Sequence, residues 1–127
     1  MIAIDTHVLV RLLVGDDARQ ARRARKLLES NDVVVATTVL LEAEWVLRSA
    51  YGFDRAQIAG AFRRFLGLPQ VAPDSPAAVA QALDAYDAGL DFADALHLAA
   101  TPEVDAFFTF DRRLARVAKE SVSMVPD

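Results

Sequence analysis

Short apolar runs and amphipathic stretches alternate along the chain. Residues 2–4, Ile-Ala-Ile, read as a short buried strand, followed by an apolar helix over 6–14 that Gly15 stops. A polar helix runs from Asp16 or Asp17 to about Glu29. Residues 33–36, Val-Val-Val-Ala, are continuously apolar over the length of a strand, as expected for a parallel strand covered on both faces. Thr37 or Thr38 then caps a helix reaching about Ala50. Val39, Leu40, Ala43, Val46 and Leu47 fall on one side of it, at the i, i+1, i+4, i+7, i+8 spacing. Asp54 caps the next helix, which turns Ile58, Phe62, Phe65 and Leu66 inward and ends at Gly67 and Pro69.

Residues 70–72 predict a brief strand, and Ser75-Pro76 a helix start, with a capping serine before a proline at the first helical position. That helix ends near Gly89, and Asp91 opens another that reaches Ala100 before Pro102. A strand over 104–110, a short helix over 112–118 and a final strand over 121–125 complete the pattern. Strands alternating with helices define the α/β class. The expected architecture is a three-layer α/β/α sandwich around a parallel sheet of four to five strands.

The chain has 127 residues, a length that fits a single domain over 1–127. It has no cysteine, which excludes disulfides and thiolate metal sites and is compatible with a reducing compartment. Asp5 stands where a signal peptide would be basic and then apolar, and the most apolar run, 33–41, is far short of the roughly 20 residues a membrane helix needs. A cytoplasmic location is expected. The net charge of −4 argues against a protein that coats nucleic acid by bulk electrostatics. It is compatible with a nuclease, because acids gathered in one pocket are offset by a bound divalent cation. Two basic groups, Arg19 to Lys26 and Arg112 to Lys119, read first as solvated helix faces.

Ligands of an open parallel sheet bind beyond the carboxyl ends of its strands. Asp5 and Asp111 each follow a strand directly. Glu42 lies about one turn into the helix after the 33–36 strand, and Asp94 in the first turn of the helix that Asp91 opens. Four carboxylates from four segments are thus expected on one rim. Each also has a structural explanation. Asp5, Asp91 and Asp111 precede helices, where aspartate caps free N–H groups, and Asp94 would complement a helix dipole. Periodicity does not separate Glu42 from Glu44; Glu42 is favoured only as the one nearer the helix start.

Attack on an anionic phosphodiester is opposed by charge repulsion, which a divalent cation relieves while acidifying a bound water. Magnesium takes oxygen ligands, keeps several waters and is usually held by one or two carboxylates. A four-acid rim therefore fits hydrolysis of RNA phosphodiester bonds through a metal-bound water.

Four segments carry a family resemblance. Residues 4–11 (IDTHVLVR) resemble the opening motif of PIN-domain nucleases, and residues 41–47 (LEAEWVL) their second acidic segment. Residues 90–100 (LDFADALHLAA) and 108–114 (FTFDRRL) are similar to the third and fourth. Order and spacing also match over essentially the whole chain, and the compact form most resembles VapC-type toxins of toxin–antitoxin pairs. The resemblance implies a PIN-like fold and a catalytic set of Asp5, Glu42, Asp94 and Asp111, with Asp5 and Asp94 as direct magnesium ligands. Asp91, Thr6 and Thr109 would support them, and Mn2+ would substitute for Mg2+. It further implies endonucleolytic cleavage of RNA, silencing by a cognate VapB-type antitoxin, and a homodimer. His7 departs from the small polar residue common at that position, which bears on local hydrogen bonding.

Other readings make different demands. A metal-free ribonuclease would use His7 and His97 as an acid–base pair, give cyclic-phosphate products and resist chelators. A haloacid-dehalogenase-type phosphatase wants a second aspartate two residues after its nucleophile, where this chain has His7, and a phosphoacceptor receiver domain wants an acidic pair beside Asp5 that is missing. A catalytically inactive PIN-like module would only bind its partner. Trp45, off the apolar face of its helix, is expected on a dimer or antitoxin surface, and Phe62 and Phe65 in the core.

Overall fold

The computed structural model describes residues 1–127 and divides into two compact units, Met1–Pro76 and Ala77–Asp127. In the first unit, β1 (Ile2–Ala3), β2 (Val33–Val35) and β3 (Val71–Pro73) pair in the order β1-β2-β3, all parallel. Parallel neighbours need a crossover, and here helices supply it. Two helices, α1 (Thr6–Val14) and α2 (Ala18–Ser30), connect β1 to β2, and two more, α3 (Thr37–Ser49) and α4 (Arg55–Leu66), connect β2 to β3. Pro73 is tolerated because β3 is the edge strand, where a missing N–H interrupts no ladder.

Local signals set most of these boundaries. Gly15 closes α1 in the left-handed conformation (φ 69°), which glycine adopts without steric cost. Asp17 caps α2, and Asp54 and Gln57 form a reciprocal capping box on α4. The start of α3 departs from expectation. Its N-cap is Ala36, which has no capping side chain, and neither Thr37 nor Thr38 takes that place. Instead the Thr37 backbone N–H and hydroxyl both donate to Asp74 Oδ1, at 3.1 and 2.6 Å. The cause is the register: Val35 pairs with Pro73, so the residue that leaves β3 reaches the first turn of the helix that leaves β2.

The core of this unit is built from the faces the pattern marks. Val33 and Val35 are buried, as are Leu40, Ala43 and Leu47 of α3, while Val39 and Val46 are half-buried at the margin. Ile58, Phe62 and Phe65 of α4 are buried as expected, and α1 packs against both α2 and α3.

The second unit holds α5 (Pro76–Asp87) from its second residue on, then α6 (Phe92–Ala100), β4 (Phe107–Thr109), α7 (Arg112–Val117) and β5 (Val122–Met124). β4 and β5 form a parallel two-stranded pair. The α/β class and the parallel strands agree with the sequence reading; hydrogen bonding divides the five strands into sets of three and two rather than one continuous ladder. β4 is also shorter than expected, because residues 101–106 form turns and bends before the strand begins. Val79, Ala82, Leu83 and Tyr86 of α5 and Phe92, Ala95, Leu96 and Ala99 of α6 are buried. The Tyr86 and Phe92 rings meet edge to face, with centroids 5.2 Å apart.

Candidate active site

Three aspartates of the second unit line one small cavity. Asp91, Asp94 and Asp111 share a space of about 60 Å³ with Gly89, Leu90, Arg113, Leu114 and Val117. Each acid is held by local backbone chemistry. Asp91 is the N-cap of α6; its Oδ2 accepts from the N–H groups of Ala93 (3.1 Å) and Asp94 (3.4 Å). That cap sets the start of the helix and so the place from which Asp94, in the first turn, projects. Asp111 caps α7 through Oδ1, which accepts from Arg113 N (2.9 Å) and Leu114 N (3.2 Å). These bonds use one of its two oxygens. Thr109 fixes the approach, because its hydroxyl accepts the Asp111 N–H at 2.9 Å.

The electrostatics follow from this crowding. Asp94 is half-buried, and its carboxyl is pushed above the usual carboxylate range, first by burial and then by the negative charges of Asp91 and Asp111. His97, one turn further along α6, pulls the other way and only partly offsets the shift. A carboxylate held against its own ionisation by like charges is the state that a cation relieves.

The first unit places its acids at the carboxyl edge of its sheet. Asp5 follows β1, is exposed, and caps α1 by accepting the Thr6 N–H at 2.7 Å, with Thr6 itself buried. Glu42 lies in the second turn of α3 and is exposed. Glu44 is buried (3% exposed) and is bound by Arg48, whose Nε lies 2.8 Å from Oε2. The environments of the two glutamates differ: Glu44 is engaged in a helical ion pair, and Glu42 faces solvent. Asp74, not singled out from sequence, stands at the same edge after β3 and holds the start of α3. Only a long-range strand register reveals it.

The donor set is all oxygen, which suits a hard divalent ion. No group of three or more histidine, aspartate and glutamate side chains is arranged to hold a metal ion. The cavity instead fits an ion gripped by one or two carboxylates with water completing its shell; roughly 10–15 Å³ accommodates each water. His7 lines a cavity with Val8, Arg11, Gln20, Arg23, Ala24 and Leu27, and His97 lies beside Asp94.

A family model of the PIN domain matches residues 2–120, nearly the whole chain. The chain belongs to the PIN domain family. No curated protein gives a significant match. PIN domains are generally nucleases and typically bind divalent metals, so the oxygen-rich cavity of this PIN domain lies in a fold that commonly cleaves nucleic acid. No helix of this PIN domain is long and apolar enough to cross a membrane.

Proposed function

We propose that this PIN domain is a magnesium-dependent endoribonuclease and that it serves as the VapC-type toxin of a toxin–antitoxin pair. The observation that carries the catalytic part is the cavity that Asp94 shares with Asp91 and Asp111, where burial first and then these two charges raise the pKa of Asp94. Asp94 and Asp111 would hold the ion in the second unit. Asp5 and Glu42 are assigned to the same reaction by their place in the motifs, Asp5 as a direct ligand, so residues 1–127 would work as one nuclease domain. When bound, the ion would neutralise a phosphate oxygen and lower the pKa of water.

The chain's own groups do the positioning. Asp91 fixes the start of α6 and hence Asp94, and Thr109 fixes the backbone of Asp111. Arg113, at the cavity wall, offers a positive charge to a phosphate that the acids would repel.

Comparing wild type with Asp5→Asn and Asp94→Asn for cleavage of a mixed RNA pool tests the assignment. Magnesium-dependent cleavage by wild type, lost with chelator and reduced at least a hundredfold in each variant, is expected. Wild-type rates in either variant would remove that residue from the site. For the toxin role, induced wild type should arrest growth of a bacterial host and Asp94→Asn should not. Co-expression of the product of the adjacent upstream gene should restore growth; arrest unrelieved by it would sink the pairing with that product.

A further inference from the structure

Two solvent-exposed phenylalanines closely precede the cavity residue Asp111 in sequence. Phe110 is 80% exposed and Phe108 59% exposed, whereas Phe62, Phe65 and Phe92 are buried and Phe53 and Phe107 half-buried. Both exposed rings represent hydrophobic stabilisation left unused by the fold. The backbone around Phe110 is nevertheless fixed. The Thr109 carbonyl accepts from Val125 N at 2.9 Å, the Thr109 hydroxyl accepts from Asp111 N, and Asp111 caps α7. The ring is therefore presented from a firm base, directly before a cavity aspartate.

The charges that follow are the complement of a polyanion. Arg112 and Arg113 are exposed, and Arg113 lines the cavity with the three aspartates. An apolar partner would gain from the rings but leave both guanidinium groups unused. An unpaired nucleotide uses both features, because its base has a π-face that stacks on an aromatic ring and its phosphate pairs with arginine. Bases inside a duplex are already stacked on one another and offer no free face.

Resting on the ribonuclease reading, we infer that Phe110, with Phe108 behind it in sequence, is a stacking platform for an unpaired base, and that Arg112 and Arg113 hold the adjoining phosphate. Phe110 acts here as a binding and positioning residue, delivering the phosphodiester toward Asp94 and Asp111.

The test compares Phe110→Ala, Phe110→Leu and Phe110→Trp with wild type, after equal melting temperatures establish intact folds. Binding is followed by fluorescence anisotropy with a fluorescein-labelled single-stranded RNA oligonucleotide of mixed sequence, and with the same strand annealed to its complement. Chelator keeps the RNA whole. Alanine and leucine should each weaken single-strand binding about tenfold, tryptophan should retain it, and duplex binding should not change. With magnesium added, Phe110→Ala should raise KM while leaving kcat near wild type. Wild-type binding by the alanine variant, equal binding by leucine and tryptophan, or equal losses on both RNA forms would overturn the platform. So would a change in self-association with RNA affinity intact, which would make the rings a contact between copies. Because binding is read without cleavage, a failed catalytic assignment at Asp94 would leave this result standing on its own.

Discussion

Asp94 shows how one side chain couples protonation to folding. Its carboxyl is raised above the ordinary range by burial and by Asp91 and Asp111. At low pH both folded and unfolded chains hold the proton, and the site costs nothing. As pH rises through the unfolded value and then the folded one, the unfolded chain releases the proton more readily, and ionisation drains stability from the folded state. In metal-free protein, Asp94→Asn should therefore melt at a higher temperature than wild type near neutral pH. That difference should vanish toward roughly pH 3. Calorimetry across the pH range checks it, and a variant melting lower at neutral pH would count against the electrostatic account. The two glutamates of α3 separate in the same way. Glu44→Gln should cost about 1–2 kcal/mol, because the buried carboxylate loses its charge-assisted bond with Arg48. Glu42→Gln, at an exposed position, should leave the melting temperature unchanged and lower the cleavage rate.

The elements show where local sequence suffices and where it does not. Gly15, Asp17, Asp54 with Gln57, Asp91 and Asp111 all end or start helices as their types predict, because capping is chemistry between near neighbours. The gathering of Asp91, Asp94 and Asp111 was likewise half visible, since two of them share one helix start. The cap on α3 was not legible: its partner is 37 residues away and reaches it only through the pairing of β2 with β3. The same limit hid Glu44's burial, because positions at equal angles from a helical face differ only by what packs over them. The strand over 104–110 was overestimated because apolar composition marks Val104 and Phe110 alike, although one precedes and the other follows the paired residues. Asp74→Ala should destabilise the fold by about 1 kcal/mol, as loss of a helix cap does, with Asp74→Asn retaining most of it. Urea unfolding measures both; equal stability of wild type and Asp74→Ala would show that water replaces the carboxylate at no cost.

For the whole molecule, a divalent ion and a partner should each register as stability or size. Magnesium at ten times its dissociation constant should add about 1.4 kcal/mol, a rise of a few degrees in melting temperature. Asp94→Asn should show little of that rise, in a thermal shift assay with magnesium against chelator. Trp45 is 59% exposed on α3, and the proposed toxin role would have a partner cover it. Trp45→Ala should shift self-association or antitoxin binding in analytical ultracentrifugation, and unchanged behaviour in both would remove Trp45 from any interface.

The position of β2 has a further consequence. Three successive valines form a strand of high β-propensity with no charge, the composition that recruits other chains when its edge is bare. Here it is flanked on both sides, by a two-residue neighbour and by one that ends in proline, neither of which offers much of a template. β3 is thus a guard as well as a strand. A fragment ending before Val71 would unmask one side of this valine ladder, and clumping of that fragment, visible by light scattering while the full chain stays clear, is the expected outcome.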